Sequence, residues 1–198
     1  MQRETLQSDL FLCQHLGQNE NDYTDILDFE LYNPDAKGLV EYIRNYAFKD
    51  EEENMMRTYL VRDKDTHEIA AYFSLKAGLV SVNEREIVRE NKQSILFDTY
   101  PGIELADFAV NDNYKKKHPE LDGIGLVVFE KFIVRIIREA ANHIGVTVLY
   151  IFSLPFESLI ARYEEYGFSK LPEKQEHQLH KRLKPAYDAS CIFMYMNI

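Results

Sequence analysis

The chain contains no tryptophan, two cysteines, six prolines and eight glycines in 198 residues. Cys13 and Cys191 are too few for a disulfide framework, and neither lies in a Cys-x-x-Cys or Cys/His spacing typical of a zinc site. No apolar run is long enough to span a bilayer, and the opening MQRETLQSDL lacks the apolar middle of a signal peptide. We therefore expect a cytoplasmic protein that binds no metal and no membrane.

Positive charge is also scarce, because 23 lysines and arginines face 33 aspartates and glutamates, for a net charge of −10. Neutralising phosphates requires a positive surface, so DNA binding is not expected. Apolar residues are abundant at 45%, with 13 tyrosines and 12 phenylalanines. That composition can bury a core, and the length predicts one domain over residues 1–198. About the first 25 residues are predicted to be a peripheral extension of that domain.

The hydrophobic pattern predicts an α/β fold with one open sheet. A hairpin near the start is followed by helices that connect strands, and Asn33 and Pro34 mark the beginning of the first helix. Residues 49–54 and 170–189 are predicted as loops. Strands are predicted at 25–31, 58–62, 69–76, 103–110, 146–152 and 190–196, and helices at 34–48, 123–144 and after Pro155.

The sharpest local motif is Gly123-Ile124-Gly125, which follows a strand and a polar loop and opens the long helix. Glycines let backbone N–H groups approach a ligand closely, and a helix N-terminus favours an anion. The amides of residues 121–126 could therefore hold a pyrophosphate, or the glycines form only a tight turn. A Walker motif is excluded because Leu126-Val127 replaces Lys-Ser/Thr, and a dinucleotide fingerprint because Val128 replaces the third glycine.

The order of elements around that motif resembles the GNAT (Gcn5-related) N-acetyltransferase family. The resemblance rests on four segments in sequence: IELADFAV, GIGLVVFEKFIVRIIREA, VTVLYIF and ARYEEYGF. It implies the acyl-CoA N-acyltransferase fold, a single mixed, mostly antiparallel sheet with a splayed parallel pair and helices on both faces. It also implies acetyl-CoA as co-substrate and the transfer of its acetyl group to a primary amine of a small molecule or peptide.

The resemblance assigns two catalytic roles. Tyr163, in the family's Tyr-x-x-x-Gly-Phe pattern, corresponds to the tyrosine that protonates the leaving thiolate, and Tyr166 is the neighbouring alternative. Glu104 corresponds to a position where some members carry a general base, and Asp107 is the second candidate. Spacing alone favours Tyr163 as an aromatic core residue, and Glu104 is equally well interpreted as the exposed end of a strand.

The resemblance also assigns the cofactor site to the strand end and to the glycine loop. Two acidic residues depart from the family pattern: Glu120 stands where the family usually has Arg or Gln, and Asp122 would repel a pyrophosphate unless it points away. The lysine run at 115–117 either supplies positive charge or is simply solvated. The expected cofactor-binding residues are Phe108, Ala109, Val110, Leu121, Asp122, Gly123, Ile124, Gly125 and Leu126.

An alternative is a non-catalytic module of the same fold that binds CoA, an acyl ligand or a protein partner. The acidic departures favour it, whereas the acidic surface as a whole would suit a cationic amine substrate. We expect residues 78–102 and 170–189 to select the substrate, because they differ most from a minimal domain. The apolar last strand makes a homodimer plausible through edge pairing.

Overall fold

A computed structural model describes residues 5–89, 92–182 and 190–198. A 3₁₀ turn spans Ile26–Asp28, and a π-helical segment spans Phe129–Ile133. The strands are β1 Leu6–Gln7, β2 Phe11–His15, β3 Arg57–Asp63, β4 Ile69–Arg89, β5 Lys92–Val110, β6 Val148–Ser153, β7 Ser169–Lys170 and β8 Ile192–Asn197. The helices are α1 Asp22–Asp25, α2 Lys37–Asn45, α3 Ala47–Glu52, α4 Asp112–Lys117, α5 Ile124–Val128, α6 Val134–His143, α7 Glu157–Glu165 and α8 Glu173–Arg182.

Within the described residues, the strands form one eight-stranded sheet in the order β1-β2-β3-β4-β5-β6-β8-β7. Strands β5 and β6 are parallel, with Gly102 opposite Val148 and Glu104 opposite Tyr150. The β1–β2, β2–β3, β3–β4, β6–β8 and β7–β8 pairs are antiparallel. This confirms the mixed, mostly antiparallel sheet with a parallel pair that the family resemblance implies.

The chain divides into two compact units, each with its own core. The first comprises the chain up to Lys76 together with Leu105–Arg138, and the second comprises Ala77–Glu104 and Glu139–Ile198. The first core contains Leu16, Ile26, Phe29, Val40, Ile43, Ala47, Leu60, Ile69, Tyr72 and Ala109. The second core contains Val80, Val148, Tyr150, Leu171, Leu179 and Phe193.

The N-terminal segment lies at one edge of the sheet, where β2 pairs with β3. Phe11 and Cys13 alternate along β2 and are each 1% exposed, so one face of this strand is buried. The fully buried Arg62 on β3 binds Asp22 and Asp25 of α1, each at 2.7 Å. Removing one partner of such a buried ion pair leaves an uncompensated charge, so this cluster fixes α1 against β3.

Three predicted elements are wrong. Residues 25–31 are not a strand, because Ile26 and Phe29 are three residues apart and both buried, which suits one turn of 3₁₀ helix. The predicted 170–189 loop contains α8, which begins after Pro172 and buries Leu179. Helix α3 likewise runs into the predicted 49–54 loop and ends at Glu52.

The predicted hairpin and the long helix after the glycine motif are confirmed, and they set up the site. Strand β5 ends at Val110, and the Asn111 side chain accepts a hydrogen bond from the Asn113 N–H at 3.1 Å to begin α4. Helix α5 then begins at Ile124, and the helical segment continues through the π turn to His143.

Candidate functional site

The turn before α5 directs backbone donors out of the start of a long helix. Gly123 has φ +67°, a left-handed conformation, and a Cβ built there meets nothing within 4 Å. Its N–H donates to the Asp122 Oδ1 atom at 2.7 Å. The Val127 N–H donates to the Gly123 carbonyl at 3.1 Å, so the amides of residues 124–126 have no carbonyl within the helix to bind.

Packing holds this turn in place. Ile124 and Val128 on α5 and the aromatic rings of Phe129 and Phe132 in the π turn are 5% exposed or less. Their apolar stripe fixes one face of the helix in the first unit, as expected for an amphipathic helix. Leu126, in contrast, is 43% exposed on the opposite side of the same turn. The amides of the turn therefore project from a firmly packed element.

The charges beside the turn neutralise one another. Lys117 pairs with Glu68, and Lys115 pairs with Asp112. The His118 ring lies between two carboxylates, with its Nε2 3.4 Å from Glu68 Oε2 and its Nδ1 3.4 Å from Glu120 Oε1. Two of the three lysines that could supply positive charge are therefore engaged with acids of their own unit.

Tyr163 lies in a closed helix end. Gly167 has φ +96°, the Phe168 N–H donates to the Tyr163 carbonyl at 2.9 Å, and the Gly167 N–H donates to the Glu164 carbonyl at 3.0 Å. These two bonds, with the Phe168 ring 5.5 Å from that of Tyr163, form a Schellman motif. The Tyr-x-x-x-Gly-Phe pattern therefore has a structural role, because it ends this helix. That role is independent of any chemical role of Tyr163.

Burial raises the pKa of the Tyr163 phenol well above its ordinary value, and the neighbouring Tyr166 adds to this while Arg162 opposes it. The side chain is 7% exposed. A phenol with a raised pKa remains protonated at neutral pH, so Tyr163 has a proton to donate.

Glu104 lies on β5 between the buried Ile103 and Leu105, and its own side chain is half-buried. The Tyr150 hydroxyl donates to its Oε2 atom at 3.3 Å. Asp107, the second candidate for the base, acts on two phenols of the first unit. Burial and, to a lesser extent, the charge of Asp107 raise the pKa of Tyr42 to about 12 against the opposing hydrogen bonds of Thr58 and Ser74. The same two causes raise the pKa of Tyr72 well above its ordinary value.

The expected site residues divide between the two units. Phe108, Ala109 and Val110, at the end of β5, and Leu121–Leu126, before and within α5, belong to the first unit. Glu104 and Tyr163 belong to the second. Sequence reasoning missed Tyr150, the partner of Glu104. The available signal was a pair of glycines within strands, Gly78 and Gly102, because glycine in a strand often marks close approach by another group.

Among residues 5–89, 92–182 and 190–198, no group of three or more histidine, cysteine, aspartate or glutamate side chains is arranged to hold a metal ion. Within the same residues, every helix is too short or too polar to cross a bilayer. Cys13 and Cys191 are both buried, and burial raises the pKa of the Cys13 thiol.

No family model matches the chain. Several solved structures resemble it along nearly its whole length. A tyrosine-to-phenylalanine mutant of KacT is 14% identical, with 96% of this chain and 95% of that chain covered and a TM-score of 0.65. AtaTR bound with acetyl-CoA is 14% identical over 96% and 94%, with a TM-score of 0.62. AtaT complexed with acetyl-methionyl-tRNAfMet is 14% identical over 92% and 93%, with a TM-score of 0.59.

AtaT and KacT have the GNAT fold, and at these identities the likeness identifies a shared fold. The present chain therefore has the fold of the GNAT acyl-CoA N-acyltransferases, as predicted from its strand and helix order.

Proposed function

We propose that this chain is an acetyl-CoA-dependent N-acetyltransferase that acts on a primary amine. The observation that carries the proposal is the turn before α5, where Gly123 in a left-handed conformation leads into a well-packed helix. First-turn amides and the positive end of the helix dipole together attract an anion. An oxygen anion already lies there, because the Asp122 carboxylate accepts the Gly123 N–H at 2.7 Å.

In this proposal the Asp122 carboxylate stands in for a phosphate oxygen of the cofactor. The residues fit such a group, because the built Cβ of Gly123 meets nothing within 4 Å and the next three amides lack helix carbonyls. Phe108, Ala109 and Val110 would bind the pantetheine arm along the end of β5. Acetyl-CoA, when bound, supplies the thioester whose acetyl group is transferred.

The protein supplies two proton transfers. Glu104 removes a proton from the acceptor amine, directly or through water, so that the nitrogen lone pair is free to attack. Tyr163 gives its phenolic proton to the leaving thiolate, and its raised pKa keeps that proton in place until it is needed. Asp107 and Tyr166 are the second candidates for the two roles.

For the acceptor we propose a small-molecule or peptide amine that carries positive charge, such as a polyamine or a basic peptide. A net charge of −10 attracts a cation and concentrates it near the protein. A second candidate is the amino group of an aminoacyl-tRNA, favoured by the likeness to AtaT bound to acetyl-methionyl-tRNAfMet. A KacTA–DNA complex is also among the similar structures, so nucleic-acid partners belong in the test.

The test is a thiol-release assay with acetyl-CoA and a panel of acceptors that includes a polyamine, a lysine peptide and methionyl-tRNA. We expect amine-dependent release of CoA, with the cationic small amines and peptides ahead of the tRNA. Release of CoA with methionyl-tRNA, but with no small amine or peptide, would make aminoacyl-tRNA the acceptor. Binding of acetyl-CoA without release for any acceptor would favour the non-catalytic module instead.

A further inference from the structure

Tyr150 is a buried tyrosine whose hydroxyl reaches a carboxylate. It lies on β6, is 4% exposed, and belongs to an otherwise apolar cluster in the second unit. Its hydroxyl donates to Glu104 Oε2 at 3.3 Å, and Glu104 is the residue opposite it across the parallel β5–β6 pair. A buried tyrosine hydroxyl needs such a partner, since burial without one is costly.

Two glycines make room for this ring. A Cβ built on Gly78 would lie 2.0 Å from the Tyr150 Oη atom, and one built on Gly102 would lie 3.1 Å from its Cε1 atom and 3.0 Å from the Val148 carbonyl oxygen. The ring cannot easily move aside, because it stacks on Phe193 at 5.5 Å. The glycine at position 78 is thus required where the phenol extends toward Glu104.

We propose that Tyr150 is a positioning residue, which holds the Glu104 carboxylate through its hydroxyl and depends on Gly78 and Gly102 for the space to do so. The inference rests on the role of Glu104 in the proposed function. A phenylalanine would fill the same apolar cluster equally well, so packing does not account for the hydroxyl. Fixing one carboxylate oxygen restricts the side chain to one orientation, which a base must keep relative to the amine.

The ionisation state of the phenol agrees with a donor role. Burial raises the pKa of Tyr150, and the charge of Glu104 and the hydrogen bond to it raise that pKa further. The phenol therefore remains a donor throughout the neutral range. Other titratable groups on elements packed around the cluster are Tyr195 on β8 and Glu176 and His180 on α8, so the test must isolate Glu104 from them.

The experiment measures kcat, KM and the pH dependence of kcat/KM for Tyr150→Phe, alone and combined with Glu104→Gln. Removing a hydrogen bond to a charged group should lower kcat about tenfold and move the acidic limb to higher pH, with KM for acetyl-CoA unchanged. In the Glu104→Gln background the same change should have less than about a twofold effect, because the residues act as one unit.

Two further variants separate positioning from packing. Gly78→Ala keeps the hydroxyl but displaces it, so it should reproduce the effects of Tyr150→Phe. Tyr195→Phe removes a hydroxyl from the same cluster, and Gly145→Ala adds a methyl group where nothing lies within 4 Å, so both should behave as wild type. Additive losses in the double mutant, or an unchanged Tyr150→Phe enzyme, would overturn the proposal.

A readout independent of turnover distinguishes failure of this inference from failure of the proposed function. The ¹³Cζ resonance of Tyr150 should change over the pH range in which Glu104 takes up a proton and stay flat in Glu104→Gln. If the wild-type chain releases no CoA with any acceptor, the proposed function fails, and a responsive Tyr150 signal still supports the contact. A flat signal in the wild-type protein overturns the contact itself.

Discussion

Two glycine turns lie within the segments that resemble the GNAT family, and they differ in what surrounds them. Gly167, after α7, has φ +96°, and the hydrogen bonds around it close that helix end onto itself. Gly123, before α5, has φ +67°. It precedes backbone N–H groups that have no acceptor carbonyl within the helix. Folding alone explains the first glycine. Because of these N–H groups, it is at the second turn that we propose the cofactor binds.

The largest effect is expected for Tyr163, the proposed acid, which lies at the helix end that Gly167 terminates. Tyr163→Phe keeps the ring that packs 5.5 Å from Phe168, so the helix end should remain folded. If the hydroxyl is the acid, turnover should fall about tenfold or more, with little change in the affinity for acetyl-CoA.

Steady-state kinetics and calorimetry on the same preparations measure the two quantities. Tyr166→Phe is the matched control, since that ring lies 6.0 Å from Tyr163 at the same helix end. An unchanged turnover for Tyr163→Phe would leave this tyrosine a purely structural residue, and a loss confined to Tyr166→Phe would transfer the role.

The next effect compares the two glycines directly. Gly123→Ala and Gly167→Ala both place a Cβ in the left-handed region, so each should lower the free energy of unfolding by about 1–2 kcal/mol. Only Gly123→Ala should also weaken acetyl-CoA binding, because only that turn presents amides to the ligand. Thermal denaturation and calorimetric titration of both variants measure this. Equal affinities in the two variants would remove the functional distinction between the turns.

A smaller effect is expected from a change at Asp122, the acidic residue in the turn that contains Gly123 (the open turn). Asp122→Asn removes a negative charge whose oxygen lies 2.7 Å from the Gly123 nitrogen, so acetyl-CoA should bind a few-fold more tightly. The gain should shrink as salt is added, because exposed charges are screened. A loss of affinity would instead mean that the Asp122 cap is needed to shape the turn.

The smallest effect is expected for Glu120→Gln, which is the control for removing the charge of Asp122. Glu120→Gln removes the same charge two residues away, where the carboxylate is exposed and lies 3.4 Å from His118. We expect a change in the affinity for acetyl-CoA of less than about twofold, as is usual for an exposed ion pair. A gain equal to that of Asp122→Asn would show that net charge, rather than the turn, controls binding.

The sequence predicts both glycine turns for the same reason. Gly123 and Gly167 stand at the ends of strongly periodic helices, so their places follow from the pattern of apolar residues. Helix α8 was missed because its apolar face is thin, with Leu179 its clearly buried residue. Strand β2 is not predicted because it has only five residues. Its two buried positions, Phe11 and Cys13, are too few to establish the alternating apolar pattern of a strand.

Contacts between distant segments could not be predicted. The hydrogen bond from Tyr150 to Glu104 depends on the register of the parallel pair β5–β6, and the pattern of neither strand specifies that register. The pairing of Lys117 with Glu68 likewise joins residues 49 positions apart. The family resemblance therefore identifies Glu104, but the sequence does not predict the Tyr150 hydroxyl that binds it.

The most direct test of the central claim is calorimetric titration of the wild-type protein with acetyl-CoA. We expect saturable one-to-one binding in roughly the micromolar range, with the turn before α5 as the anion site. No binding at millimolar acetyl-CoA would contradict this expectation, since the open turn would then be a feature of the GNAT fold that this chain keeps without using it for the cofactor.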